Sequence, residues 1–166
     1  MIGAMSESEA ERWRAHDVLD AQEGTGPVPI LDSAAAAELL RLARRIAMVG
    51  ASANPARPSH GVMRYLLKEG YEVVPVNPNA DEVLGRQAYP TLEAATEAGR
   101  PFDLVDVFRR PEHTPDIARS AVATGASALW LQLGVVNWEA ARIAHEAGLP
   151  VVMDRCTAID HRRIAR

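Results

Sequence analysis

Cysteine is nearly missing from this chain. Cys156 is the only one in 166 residues, so no internal disulfide can staple the fold, which suits a reducing, cytoplasmic setting. Lysine is equally scarce: of 18 basic residues only Lys68 is a lysine, and the rest are arginines. A basic surplus is absent too. The net charge is −4, whereas a general nucleic-acid binder carries a positive balance. Apolar runs are too short for a membrane span. The opening stretch, MIGAMSESEAERWRAHD, is acidic and polar, so no secretory signal is expected. No HExxH, CxxC or GxSxG pattern occurs, and no histidine pair has the spacing of metal ligands on a helix. No internal repeat is visible.

What remains is an ordinary globular composition, 48% hydrophobic and 24% charged, long enough for one domain. Residues 1–30 read as an extension: a charged helix over 6–20, then a loop through EGTGPVP. It is expected to cover an edge of the domain or to contact a partner. From residue 31 onward the pattern is regular. Asp32-Ser33 caps a helix over 34–45. Short apolar strands are expected at 46–50, 71–77, 103–108, 128–133 and 151–153, separated by helices at 59–69, after Pro90-Thr91, at 111–124 and at 137–147. Pro75 within the second strand is an objection, because proline removes a ladder donor. Strands alternating with helices give a parallel sheet covered on both faces. The expected architecture is α/β, a Rossmann-like doubly wound sheet of about five strands in the order 3-2-1-4-5. Ligands of such sheets bind beyond the carboxyl ends of the strands, here between strands one and four.

The residues at those strand ends are therefore the candidate site. After strand one, Gly50 permits a tight turn, and Ala51 and Ser52 follow it. Ser59, after Pro58, is placed to cap the next helix, where the N–H groups of Ser59, His60 and Gly61 can hold an anion. Arg57 beside them is a bidentate phosphate clamp. His60 is either a phosphate contact or an exposed first-turn residue. Strand two ends in Val76-Asn77-Pro78, with no carboxylate before Asp81. A dinucleotide site places an Asp or Glu there for the ribose, so NAD is disfavoured. Val76 and Pro78 offer an apolar surface to an adenine. After strand three come Val107, Phe108 and Arg109, with Arg110 read as part of a helix cap. After strand four, Gln132, Leu133 and Gly134 can present amide and backbone groups. Cys156 falls near the same edge. Asp106 is read as a ligand contact or a buried hydrogen-bonding group. Trp13, Trp130 and Trp138 are read as packing residues, and His113, His145 and His161 as surface residues.

The stretches VGASANPARPSHGVMRYLLKEGYEVVPVNP, DVFRRP, LWLQLGV and VVMDRC, in this order and spacing, resemble the small stand-alone CoA-binding proteins. That family is related to the CoA-binding domain of the succinyl-CoA synthetase alpha subunit. The resemblance covers about residues 44–163. It implies that Gly50, Ala51, Ser52, Arg57 and Ser59 hold the diphosphate of coenzyme A and that Val76, Asn77 and Pro78 border the adenosine. It further implies that Val107, Phe108 and Arg109 line the cleft and that Gln132, Leu133 and Gly134 line the pantetheine side. The related synthetase uses a phosphorylatable histidine in a second domain for which this chain has no room, so no catalysis is expected. The partner is then CoA or an acyl-CoA, with no nucleic acid and no membrane. Four alternatives stay open: an NAD(H)-responsive module, an enzyme acting on a CoA ester or a subunit completed by a partner chain, a plain interaction domain with an empty cleft, and a mixed disulfide between Cys156 and CoA.

Overall fold

The computed structural model, which describes residues 6–165, contains seven strands and seven helices. The strands are β1 (Arg45–Val49), β2 (Glu72–Val76), β3 (Glu82–Val83), β4 (Arg86–Gln87), β5 (Leu104–Val107), β6 (Leu129–Leu131) and β7 (Val151–Val152). The helices are α1 (Glu7–Glu23), α2 (Ser33–Leu42), α3 (Pro58–Lys68), α4 (Leu92–Glu97), α5 (Thr114–Ala123), α6 (Trp138–Glu146) and α7 (Thr157–Ile164). A short 3-10 turn, Pro111–His113, leads into α5. The side chains of residues 8–14, Trp13 among them, lie outside the described residues.

The five long-range strands form one parallel sheet in the order β2-β1-β5-β6-β7. Counting these five along the chain, the order is 2-1-3-4-5, not the expected 3-2-1-4-5. The switch point accordingly lies between β1 and β5, the third strand, not between strands one and four. Pro75 carries the reason. Even-numbered β2 residues bond to β1, as in Glu72 N donating to the Arg44 carbonyl at 2.9 Å and Gly50 N donating to the Val76 carbonyl at 2.9 Å. Pro75 therefore turns its backbone away from β1, and its carbonyl accepts from Tyr89 N at 3.0 Å. A strand whose outer side lacks a donor cannot be central, so β2 ends the sheet.

Alternation along the strands sorts the core into two layers. Ala47, Val49, Val105 and Val107 face α4, α5 and α6. Ile46, Met48, Leu104 and Trp130 face α2, α3 and α7. Buried alanines (Ala118 and Ala121 on α5, Ala140, Ala141 and Ala144 on α6) keep the first layer thin. Asp32, Thr91 and Asn137 cap α2, α4 and α6, each accepting a backbone N–H through its side-chain oxygen.

Helix α2 stops at Leu42 rather than 45 because the Arg44 and Arg45 amides both donate to Asp103 Oδ2, at 2.8 Å each. Arg45 is then drawn into the sheet, its Nε on Glu72 Oε1 at 3.0 Å and its guanidinium 4.1 Å over the Phe102 ring. The hairpin β3–β4 has no counterpart in the sequence reading. Its turn places Leu84 at φ 50° and Gly85 at φ 73°, and leucine there hides the usual Asn-Gly or Asp-Gly signal. The N-terminal segment joins the core: Ala21 is buried with Val28 and Ile30 beside it, and Leu31 N donates to the Val151 carbonyl at 2.8 Å.

Candidate functional site

The carboxyl ends of β1, β2, β5 and β6 surround a cavity of about 750 Å³, within the range of small-molecule sites. The first wall is the loop after β1. Gly50 sits at φ 86°, and a Cβ there would run into the Phe108 carbonyl, so only glycine lets β1 and β5 close so tightly. The loop then fastens itself. Ser52 N donates to Ser59 Oγ at 3.1 Å, Asn54 N to Ser52 Oγ at 3.1 Å, and Ala56 N to Asn54 Oδ1 at 3.0 Å. Ser59 is not the helix cap. Arg57 occupies that position, with Pro58 as the first helical residue and no side-chain cap, because proline is favoured at N1 and so places the cap two residues earlier. The His60 amide is used as well, donating to the Arg57 carbonyl at 3.1 Å.

Of the predicted site residues, the structure brings Gly50, Ser52, Arg57, Pro58, Ser59, Asn77, Phe108, Arg109, Gln132, Leu133 and Gly134 to this one cavity. Arg57 is exposed and Arg109 half-buried. Ala51, His60 and Val107 do not line it. Ala51 and Val107 are sealed in the core, and His60 is buried on α3. Val76 and Pro78 instead line an adjoining cavity of about 260 Å³ with Ile117 and Leu92. Arg109 belongs to the lining of both. His113, exposed as expected, also borders the smaller one.

Asn77 stands where a dinucleotide site has its carboxylate, and it ties two loops together. Its Nδ2 donates to the Ala51 carbonyl at 2.8 Å and its Oδ1 accepts from Asn79 N at 2.8 Å. It staples the β1 and β2 loops rather than waiting for a ribose.

The opposite wall rests on a buried polar cluster. Gln132 Nε2 donates to Asp106 Oδ1 at 2.6 Å and to Thr157 Oγ at 3.0 Å, and Thr157 Oγ donates to Asp106 Oδ2 at 3.0 Å. Asp106 is fully buried. Burial pushes its carboxyl up to about 7, against the pull of the Gln132 and Thr157 hydrogen bonds. The Gly134 amide, expected to face a ligand, donates instead to Asp154 Oδ1 at 2.7 Å.

Sequence reasoning missed Asn79, Pro111 and Ile159 as lining residues and read Arg110, also at the cavity, as a helix-cap residue. Ile159 lies on α7, so it had no local signal. Cys156, at the head of α7, does line the cavity and is half-buried. His161 is not a plain surface residue: its Nδ1 lies 2.8 Å from Tyr65 Oη, with Tyr65 and Tyr71 edge-on around the ring. Trp130 is a packing residue, fully buried, its Nε1 donating to the Arg155 carbonyl at 2.8 Å. Among the described residues no cluster of His, Cys, Asp and Glu could hold a metal ion, and no helix is long and apolar enough to cross a membrane.

A family model described as a CoA-binding domain matches residues 44–162. The uncharacterized protein YneT of Bacillus subtilis (strain 168) is 43% identical over 124 residues, 75% of this chain and 90% of that protein. A hypothetical protein from Pyrococcus horikoshii OT3 has a solved structure 39% identical to this chain. It superposes with a TM-score of 0.77 over 82% of this chain and 94% of its own. The apo form of an acetyl-coenzyme A synthetase 1 from Ca. Korarchaeum cryptofilum is 25% identical, with a TM-score of 0.57, over 68% of this chain and 27% of the synthetase.

Proposed function

The chain belongs to the CoA-binding domain family, and from that premise we propose that it binds coenzyme A, free or acylated, without transforming it. The observation that carries this reading is the pair of adjoining cavities sharing Arg109. The smaller, lined by Val76, Pro78, Leu92 and Ile117, suits an adenine face. The larger has Ser52 and Arg57 at one end and Gln132 and Cys156 at the other, so it suits a diphosphate followed by a long polar arm. The Arg57 guanidinium would clamp phosphate. Asn77, an amide where a dinucleotide site has a carboxylate, supports this reading over NAD.

The absence of catalysis is proposed on the placement of Asp106. Its carboxyl is drawn up toward neutrality, and it lies fully buried behind Gln132 and Thr157. A general acid or base needs direct reach to the reacting group.

The test is native mass spectrometry of freshly purified, unreduced protein, followed by the denatured mass of whatever is released. CoA or an acyl-CoA coming off supports the reading, and acyl-CoA consumed by the pure protein would overturn the non-catalytic part. NAD coming off, or failure to take up added CoA, would overturn the ligand. A mass increment that survives denaturation and yields to reductant would point to a disulfide at Cys156.

A further inference from the structure

Gln132 is almost wholly buried at the end of β6, yet it lines the main cavity. An amide group has two N–H donors and one carbonyl acceptor. Here both donors are taken, one by Asp106 Oδ1 and one by Thr157 Oγ. The carbonyl oxygen Oε1 has no partner among the described residues. It is not sealed in the interior either, since the one enclosed side-chain polar atom left without a partner there is Trp138 Nε1. Turning the amide over would set Oε1 against the Asp106 carboxylate, so the cluster fixes which end of the amide meets the cavity.

We propose that Gln132 is a specificity-determining residue: held by Asp106 and Thr157 as positioning residues, its Oε1 accepts a hydrogen bond from a secondary-amide N–H of the ligand. This rests on the CoA reading above and names the part of CoA read at this wall, the amide-bearing pantetheine arm. One strand, β5, separates β1 from β6. Strand spacing of about 4.8 Å puts the Ser52–Arg57 loop and Gln132 roughly 10 Å apart. That is farther than a diphosphate reaches and within reach of the arm beyond it. An acceptor without a partner at this wall rejects a ligand that brings a second acceptor or an apolar group there.

The helices over Asp106 carry other ionisable groups: His60 of α3, Cys156 at the head of α7, and Asp160, which Arg155 and Arg163 hold. None of them bonds to Asp106. Protonated Asp106 is itself a donor. Gln132 can then turn Oε1 inward and offer the cavity an NH₂, a donor facing a donor.

The experiment is calorimetric titration of the full chain with two probes, CoA and adenosine 3′,5′-bisphosphate, which has no amide arm. Gln132→Met should weaken CoA about five- to tenfold and leave the bisphosphate within about twofold. The 5′-monoester of the bisphosphate ionises between pH 6 and 8 and the diphosphate of CoA does not, so the ratio of the two affinities is read against Asp106→Asn titrated with the same probes. Relative to that variant, the wild-type ratio of CoA to bisphosphate affinity should fall as the pH is lowered from 8 to 6. If Gln132→Met does not fold, the comparison of wild type with Asp106→Asn decides. Equal losses for both probes, or a wild-type ratio that tracks that of Asp106→Asn, overturn the proposal. A wild type that binds neither probe overturns the CoA reading itself, a result distinct from CoA binding that ignores Gln132.

Discussion

The loop of residues 50–61 and the cluster of Asp106, Gln132 and Thr157 face each other across one cavity and are held in place by different physics. The loop is fastened by neutral bonds between near neighbours: Ser52 to Ser59, Asn54 to Ser52, Ala56 to Asn54. Each contributes about a kilocalorie, and the bonds of Asn54 and Ala56 stand exposed to water. The cluster is made of groups 25 to 51 residues apart in sequence, joined by buried hydrogen bonds. It contains a carboxyl whose charged form is costly to bury. The loop side is suited to meet ionic ligand groups that arrive with their own hydration. The cluster side holds one neutral amide in one orientation and accepts a stability cost to do so.

That contrast can be broken most strongly through pH. The folded-state value of Asp106, about 7, lies above its ordinary 3.8. Between these limits the folded protein holds a proton that the unfolded chain has released, so stability falls as pH rises from about 4 to about 7. Three units correspond to about 4 kcal/mol. Asp106→Asn has no such proton, so its stability relative to wild type should improve by about that amount between pH 4 and pH 8 in urea unfolding. A constant difference across that range would place the ionisation elsewhere.

Gly50→Ala attacks the opposite wall. The positive φ and the Phe108 carbonyl leave no space for a Cβ, so the change should cost about 3 kcal/mol and lower Tm by roughly 6–12 °C. A Tm within about 2 °C of wild type would mean that β1 and β5 can separate freely.

Smallest and most selective is Arg57→Ala. The side chain is exposed and caps nothing, so Tm should hold while CoA binding weakens by about 1.5–3 kcal/mol. Unchanged affinity would remove Arg57 from the phosphate site.

The loop wall was largely legible in the sequence. Gly50, Arg57 and Ser59 are residue types with strong local meaning at a strand–helix junction. Even there Pro58 misled: it moved the cap from Ser59 to Arg57 and freed Ser59 to hold Ser52. The strands themselves were legible as short buried runs such as IAMV and LWL, whereas their order was not. Alternation of strand and helix is the same for 2-1-3-4-5 and 3-2-1-4-5, and the sign that separated them was Pro75, a residue needing an edge. The cluster wall had no local sign at all. Asp106, Gln132 and Thr157 become neighbours only once β5, β6 and α7 are assembled, and periodicity does not report on such distances.

The bond from Leu31 N to the Val151 carbonyl reaches beyond the domain's own packing. It lies on the side of β7 away from β6, where backbone groups would otherwise stand open. Unsatisfied strand borders template association with other chains. At the far border, Pro75 has no N–H to offer and its carbonyl is already taken by Tyr89. With Leu31 bonded to β7, both ends of the sheet are guarded against polymerisation. Removing the first 31 residues would thus do more than shorten the protein: it would expose an adhesive border next to a folded core.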